Sequence, residues 1–322
     1  MTRATPPAIV VLDGHTLNPD GDNPWDEIAA LGPLTLHPRT QPADIIARAA
    51  DADIILTNKT PLTAATLAAL PRLRFISVLA TGHNIVDSAV ARARGIPVAN
   101  VPTYGTTTVA QHTLALIFEL CHHAGLHSRT VHDGEWSACP DFCYWKKPLV
   151  ELDGLTLGIV GRGRIGQRVA ALARAFGMRI QFASTNEPAG NNNDLVPLDA
   201  LLATSDIITL HCALTPANTR FINRATLARM KPGAFLINTG RGALIDEPAL
   251  RSALDNGHLG GAALDVLDGE PPAATHPLLG APNCIITPHM AWSGRRARQR
   301  LMQVTAANIR AFLNGTPENI VN

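Results

Sequence analysis

The sequence has 322 residues, room for about two domains at roughly 150 residues each. Apolar residues make up 46% and charged residues 16%, which excludes a disordered chain. With 27 basic against 26 acidic residues the net charge is +1, so no global field favours nucleic acid or an anionic membrane.

Residues 1–7 carry no basic stretch followed by an apolar one, so no secretory leader is expected. No apolar run reaches the ~18 residues of a membrane span. Five scattered cysteines suit free thiols in a reducing cytoplasm, the expected location. Short apolar runs at 8–12, 34–37, 53–57, 74–79 and 98–99 are predicted strands. Helical patterns fall between them at 25–31, 43–50, 64–70 and 87–94. That alternation predicts a parallel sheet covered on both faces. A single helix is predicted from Thr107 to Arg129. On it, His112 is expected to pack or cap. His123 and His127 stand four apart but lack a further ligand cluster, so no metal site is expected.

A second alternating series begins near Thr156, with predicted strands at 157–160, 179–183, 207–210, 234–238, 261–265 and 284–287. The last helix is predicted over 294–313. The fold class expected is α/β, with two doubly wound, Rossmann-like domains. The first of these strands runs into Gly161-Arg162-Gly163-Arg164-Ile165-Gly166. Gly161 can make a tight turn, Gly163 lets backbone approach a pyrophosphate, and Gly166 lets a helix pack on the strand. A helix starting near Arg164 aims its N–H groups at the phosphates. Strand, glycines and helix together predict dinucleotide binding, with Gly161, Gly163, Arg164, Ile165 and Gly166 as contacts.

The strand ending at Ala183 lacks the acid that would bond a ribose. Ser184 and Thr185 stand there instead, without a following arginine. Loss of the acid removes repulsion against a 2′-phosphate, so the loop leans narrowly to NADP over NAD.

Three segments after later strands carry chemistry: 238–242, 264–271 and 285–292. Reducing a 2-oxo acid needs a cation for the carboxylate, a proton donor for the carbonyl oxygen and a group that keeps the donor charged. Arg241 offers a fork of N–H donors. His289 suits proton transfer near neutrality, and a carboxylate at Glu270 would favour its imidazolium. Each alone reads equally well as a surface ion pair, a turn cap or a solvated acid. Their joint position after successive strands points to catalysis.

These segments resemble the D-2-hydroxyacid dehydrogenase family over nearly the whole chain. The resemblance rests on 157–166, 238–246 (NTGRGALID), 262–271 (AALDVLDGEP) and 287–291 (TPHMA). Within the family, 79–84, 101–106 and 141–145 are most similar to the glycerate dehydrogenase, or hydroxypyruvate reductase, branch. The resemblance implies catalytic roles for Arg241, Glu270 and His289. It implies cofactor contacts at Thr107, Thr239 and Asp265, and a substrate loop at Ala80, Thr81 and Gly82. It also implies a flavodoxin-like substrate domain from 1–100 and 290–322, around a dinucleotide-binding domain at 101–289. The expected reaction is reduction of a small 2-oxo acid, hydroxypyruvate or glyoxylate, to the D-hydroxy acid. The expected assembly is a homodimer, with Trp136, Tyr144 and Trp145 in an arm that crosses to the partner. No nucleic acid or membrane partner is expected. The alternatives are an NADH-sensing protein like the related corepressors, or an enzyme like the phosphoglycerate dehydrogenases. The first usually carries long disordered tails and the second a further regulatory domain, neither of which is visible here.

Overall fold

Continuous apolar runs such as Thr156–Val160 can be satisfied only in strands covered on both faces, as in parallel α/β sheets. The computed structural model, which describes residues 6–184 and 194–322, builds two such sheets. The chain divides into two compact units, Met1–Gly105 with Ser293–Asn322, and Thr106–Trp292.

In the first unit β1 (Ile9–Val11), β2 (Leu34–Leu36), β3 (Ile54–Thr57), β4 (Phe75–Val78) and β5 (Val98–Ala99) lie in the order β2-β1-β3-β4-β5, all parallel. This is the flavodoxin-like order. Ile55, Ile76 and Val78 pack with Leu67 of the helix Ala64–Ala68 and with Leu70 just beyond it. The final helix, Arg295–Leu313, belongs to this unit. Phe312 stacks on Phe75 with ring centroids 4.5 Å apart. Near its start, buried Arg298 forks onto Asp22 at 2.7 and 2.8 Å.

In the second unit β6 (Thr156–Val160), β7 (Arg179–Ala183), β8 (Ile207–Leu210), β9 (Phe235–Asn238), β10 (Gly261–Leu264) and β11 (Cys284–Ile286) form a parallel sheet. Its order is β11-β10-β9-β8-β6-β7. The chain steps from β6 to β7 on one side, then crosses to β8 on the other. The crevice at such a reversal is where open α/β sheets bind ligands. The helix Thr106–His122 shares a core with Arg164–Arg174: Leu114, Ile117 and Leu120 meet Val169, Ala170 and Ala173.

The single helix expected over 107–129 is two, Thr106–His122 and Ala124–His132. His123 takes a left-handed φ of 50°, which ends the first helix. The Glu119 carboxylate accepts the Gly125 N–H at 3.2 Å and caps the second. His127 bonds the His123 carbonyl through Nδ1 and accepts the Lys146 N–H through Nε2, so both ring nitrogens are engaged.

Candidate active site

Strand β6 ends in a turn that only glycines fit. Gly161 has φ +107°, and a Cβ there would meet the backbone of His211 and Cys212 at 2.6 Å. A Cβ on Gly166 would lie 2.2 Å from the Gly161 carbonyl oxygen. Gly163 caps the helix Arg164–Arg174 without any side-chain bond, and its own Cβ would meet nothing within 4 Å. The first helical turn holds no acid. Open backbone, helix N–H groups and a first helical turn without an acid fit a dinucleotide pyrophosphate. Ser184, half-buried, follows β7 directly, whereas Thr185 lies outside the described residues. Thr107 is exposed on the first turn of the helix Thr106–His122.

The loop after β9 is shaped by fully buried Asn238, whose Oδ1 accepts the Gly240 N–H at 2.9 Å while Nδ2 donates to the Arg241 carbonyl at 2.8 Å. Thr113 gives its hydroxyl hydrogen to the Val109 carbonyl. It therefore accepts from the Thr239 hydroxyl, 3.1 Å away. Arg241 is half-buried and donates through Nη1 to the Gly240 carbonyl at 2.8 Å. Among the described residues of its unit no carboxylate pairs with it, which leaves most of the fork's donors for an incoming anion.

Past β10 the chain reaches Asp265, 1% exposed. Oδ1 accepts from the Thr287 hydroxyl at 2.6 Å and the Met290 N–H at 2.9 Å, and Oδ2 from the Ala291 N–H at 2.8 Å. Its backbone carbonyl takes the His289 N–H at 2.8 Å. Burial pushes the Asp265 carboxyl up. The bonds from His112, Thr287, Ala291 and Met290 outweigh that and hold it below its ordinary 3.8. His112 Nε2 lies 3.2 Å from the Thr287 hydroxyl, whose hydrogen already goes to Asp265. His112 therefore donates.

The loop tied down in this way carries His289, held at φ +50°. Its Nδ1 is 2.5 Å from Glu270 Oε2, and both side chains are about one-third exposed, 28% and 34%. Glu270 Oε1 accepts the Leu267 N–H at 3.0 Å. The next N–H, of Asp268, goes to Glu247 Oε1 at 2.8 Å. Glu247 and His276 form a second, buried pair at 2.9 Å. His276 Nδ1 accepts from Leu278, so Nε2 carries the hydrogen given to Glu247. Thus Arg241, Thr239, Asp265, Glu270 and His289 all stand on loops that follow strands of one sheet. His112, Thr113, Thr287, Glu247 and His276 hold those loops and were not predicted as site residues. A buried polar side chain on a helix leaves no separate mark in periodicity.

In the first unit, residues 80–82 follow β4. Thr81 donates its hydroxyl to the Val101 carbonyl at 2.8 Å, Asn100 Nδ2 donates to the Thr81 carbonyl at 2.7 Å, and the Val101 N–H donates to the Ala80 carbonyl at 3.1 Å.

The family profile "D-isomer specific 2-hydroxyacid dehydrogenase, NAD binding domain" matches residues 114–291. A hydroxypyruvate reductase of Blautia hydrogenotrophica is 47% identical over 98% of the chain and 99% of its own. A glycerate dehydrogenase of Methylorubrum extorquens is 41% identical over 87% of the chain and 88% of its own. Among solved structures, the NADPH-dependent glyoxylate/hydroxypyruvate reductase of Sinorhizobium meliloti, in complex with NADP and malonate, superposes with a TM-score of 0.85. It is 27% identical and covers 98% of this chain and 97% of its own.

Asp265→Asn tests the buried anchor. An amide nitrogen in place of one oxygen turns a donor towards a donor, so amide exchange at Met290 and Ala291 should speed about 10- to 100-fold at pH 7. Because the carboxyl is held below 3.8, its stabilisation is complete above that pH and fades as pH falls through the lowered value. The gap between wild type and variant should close only in that acid range. Equal exchange rates at pH 7 would refute the anchor.

Proposed function

The chain belongs to the D-isomer-specific 2-hydroxyacid dehydrogenases, and on that premise we propose that it reduces hydroxypyruvate or glyoxylate to the D-hydroxy acid. It is a nicotinamide-dependent oxidoreductase of small 2-oxo and 2-hydroxy acids. The observation that carries the catalytic reading is the 2.5 Å contact between His289 and Glu270, in one sheet-end cluster with Arg241.

Bound nicotinamide supplies hydride to C2 of the oxo acid. Arg241 binds the substrate carboxylate and polarises the carbonyl through its remaining N–H donors. On the family resemblance, Ala80, Thr81 and Gly82 of the first unit are the proposed substrate loop. His289, protonated on both nitrogens, gives the Nε2 proton to the carbonyl oxygen as C2 becomes tetrahedral. Glu270 accepts the Nδ1–H and so fixes which ring nitrogen meets substrate. Gly161, Gly163, Arg164, Ile165 and Gly166 hold the pyrophosphate. Ser184 would serve the ribose, and Thr107, Thr239 and Asp265 would border the nicotinamide end. The missing ribose acid favours NADP over NAD. No helix is long and apolar enough to cross a membrane among the described residues, and we place the enzyme in the cytoplasm. Phe142 is 90% exposed and Trp145 68%, an apolar arm suited to a homodimer interface.

Absorbance of reduced cofactor should fall on addition of hydroxypyruvate or glyoxylate. Arg241→Lys, which keeps charge but loses the fork, should cut kcat/KM by at least about 100-fold with cofactor affinity kept. No turnover with either acid would refute the reading, and normal kinetics in the variant would refute the role of Arg241.

The contact between His289 and Glu270 carries a further prediction. Glu270→Gln removes the charge beside Nδ1 and should slow the chemical step by at least about 10-fold, measured with deuterated cofactor. His289→Ala should lose activity and still bind cofactor. An unchanged chemical step in Glu270→Gln would separate the two residues' roles.

A further inference from the structure

The glycine loop carries an arginine at its second position, whose side chain has no part in the backbone duties described above. We propose that Arg162 binds the adenosine 2′-phosphate of NADP, an inference that rests on the dinucleotide reading of this loop.

Strands β6 and β7 run parallel with Val160 opposite Ala183, and the Gly161 N–H donates to the Ala183 carbonyl at 2.8 Å. The turn at 161–162 therefore rides beside the end of β7. The ribose of a dinucleotide on this fold lies at that strand end, where an acid would bond its hydroxyls. Here the position is Ser184, whose side chain carries no charge.

The Arg162 guanidinium lies over the Phe182 ring, 5.6 Å from its centroid. Phe182 is the penultimate residue of β7, so this contact directs the side chain along β7. The backbone N–H groups at the start of the helix Arg164–Arg174 serve the pyrophosphate. The arginine side chain reaches the neighbouring strand and can serve the ribose end.

Its charge is only loosely engaged. Among the described residues its one ion pair is with Asp194 at 3.7 Å, too long for a hydrogen bond, and Asp194 is shared with Arg174 at 3.5 Å. The Arg162 side chain is 39% exposed. A phosphate at Arg162 would compete with the Asp194 carboxylate. A phosphate dianion, with three acceptor oxygens, matches a planar guanidinium better than a shared, distant carboxylate does. A ribose with a free 2′-hydroxyl offers no such charge, so Arg162 contributes to NADP affinity and leaves NAD affinity nearly untouched.

Calorimetric titration of the full-length protein with NADP+ and with NAD+ tests this without turnover. Arg162→Ala should weaken NADP+ about 10- to 100-fold and NAD+ less than about twofold. Arg162→Lys should recover part of the NADP+ affinity, as a point charge without the fork. Preserved NAD+ binding shows that each variant is folded. Equal losses for both dinucleotides would overturn the inference, because they would assign Arg162 to the shared pyrophosphate or to loop structure. Unchanged NADP+ affinity would overturn it too. A wild-type protein that binds NAD+ but not NADP+ overturns this inference alone, whereas one that binds neither overturns the dinucleotide reading beneath it.

Discussion

A carboxylate with 1% of its surface exposed has to be surrounded by donors, and those around Asp265 come mostly from the segment that carries His289. Three bonds from Thr287, Met290 and Ala291 flank the histidine on both sides, and the Asp265 carbonyl holds its N–H. An unpaired buried carboxylate would be costly, so each of these bonds must form for the loop to fold. That requirement holds His289 at a φ of 50°. The partly exposed His289 thus takes its position from a buried carboxylate.

The same principle repeats around Glu270. Successive N–H groups of Leu267 and Asp268 are taken by Glu270 and Glu247. Glu247 is paired in turn with His276, both largely buried. The buried Glu247–His276 pair and the half-exposed Glu270–His289 pair share one short loop. One is solvent-shielded and holds backbone. The other faces outward, where a substrate can meet it. Rigid support of this kind is what proton transfer over hydrogen-bond distances demands.

The cofactor half depends on space rather than charge. Gly161 and Gly166 leave no room for a Cβ, because the crossing from β6 to β8 and the packing of the helix Arg164–Arg174 bring backbone within 2.6 Å of where one would sit. Gly163 is different: its Cβ would meet nothing, so its value lies in the open side of the loop. The glycines thus divide into two that close the turn and one that keeps it accessible.

Much of this was legible in the sequence. Strands buried on both faces give continuous apolar runs, and all eleven predicted strands overlap observed ones. The glycine spacing and the motifs around Arg241, Glu270 and His289 marked the loops that follow β6, β9, β10 and β11, because short motifs there interrupt the apolar runs of the strands. The break at His123 was not legible, since it depends on a left-handed residue and on a cap from Glu119, six residues before Gly125. Nor were the roles of His112, Thr113, Glu247 and His276, which are defined by partners 21 to 175 residues away. The sequence by itself determined which elements form and which loops carry reactive groups, because these follow from local periodicity and residue type. Only the tertiary structure decided which buried side chains fix those loops, because a hydrogen bond between distant segments exists only once packing has brought its two ends together.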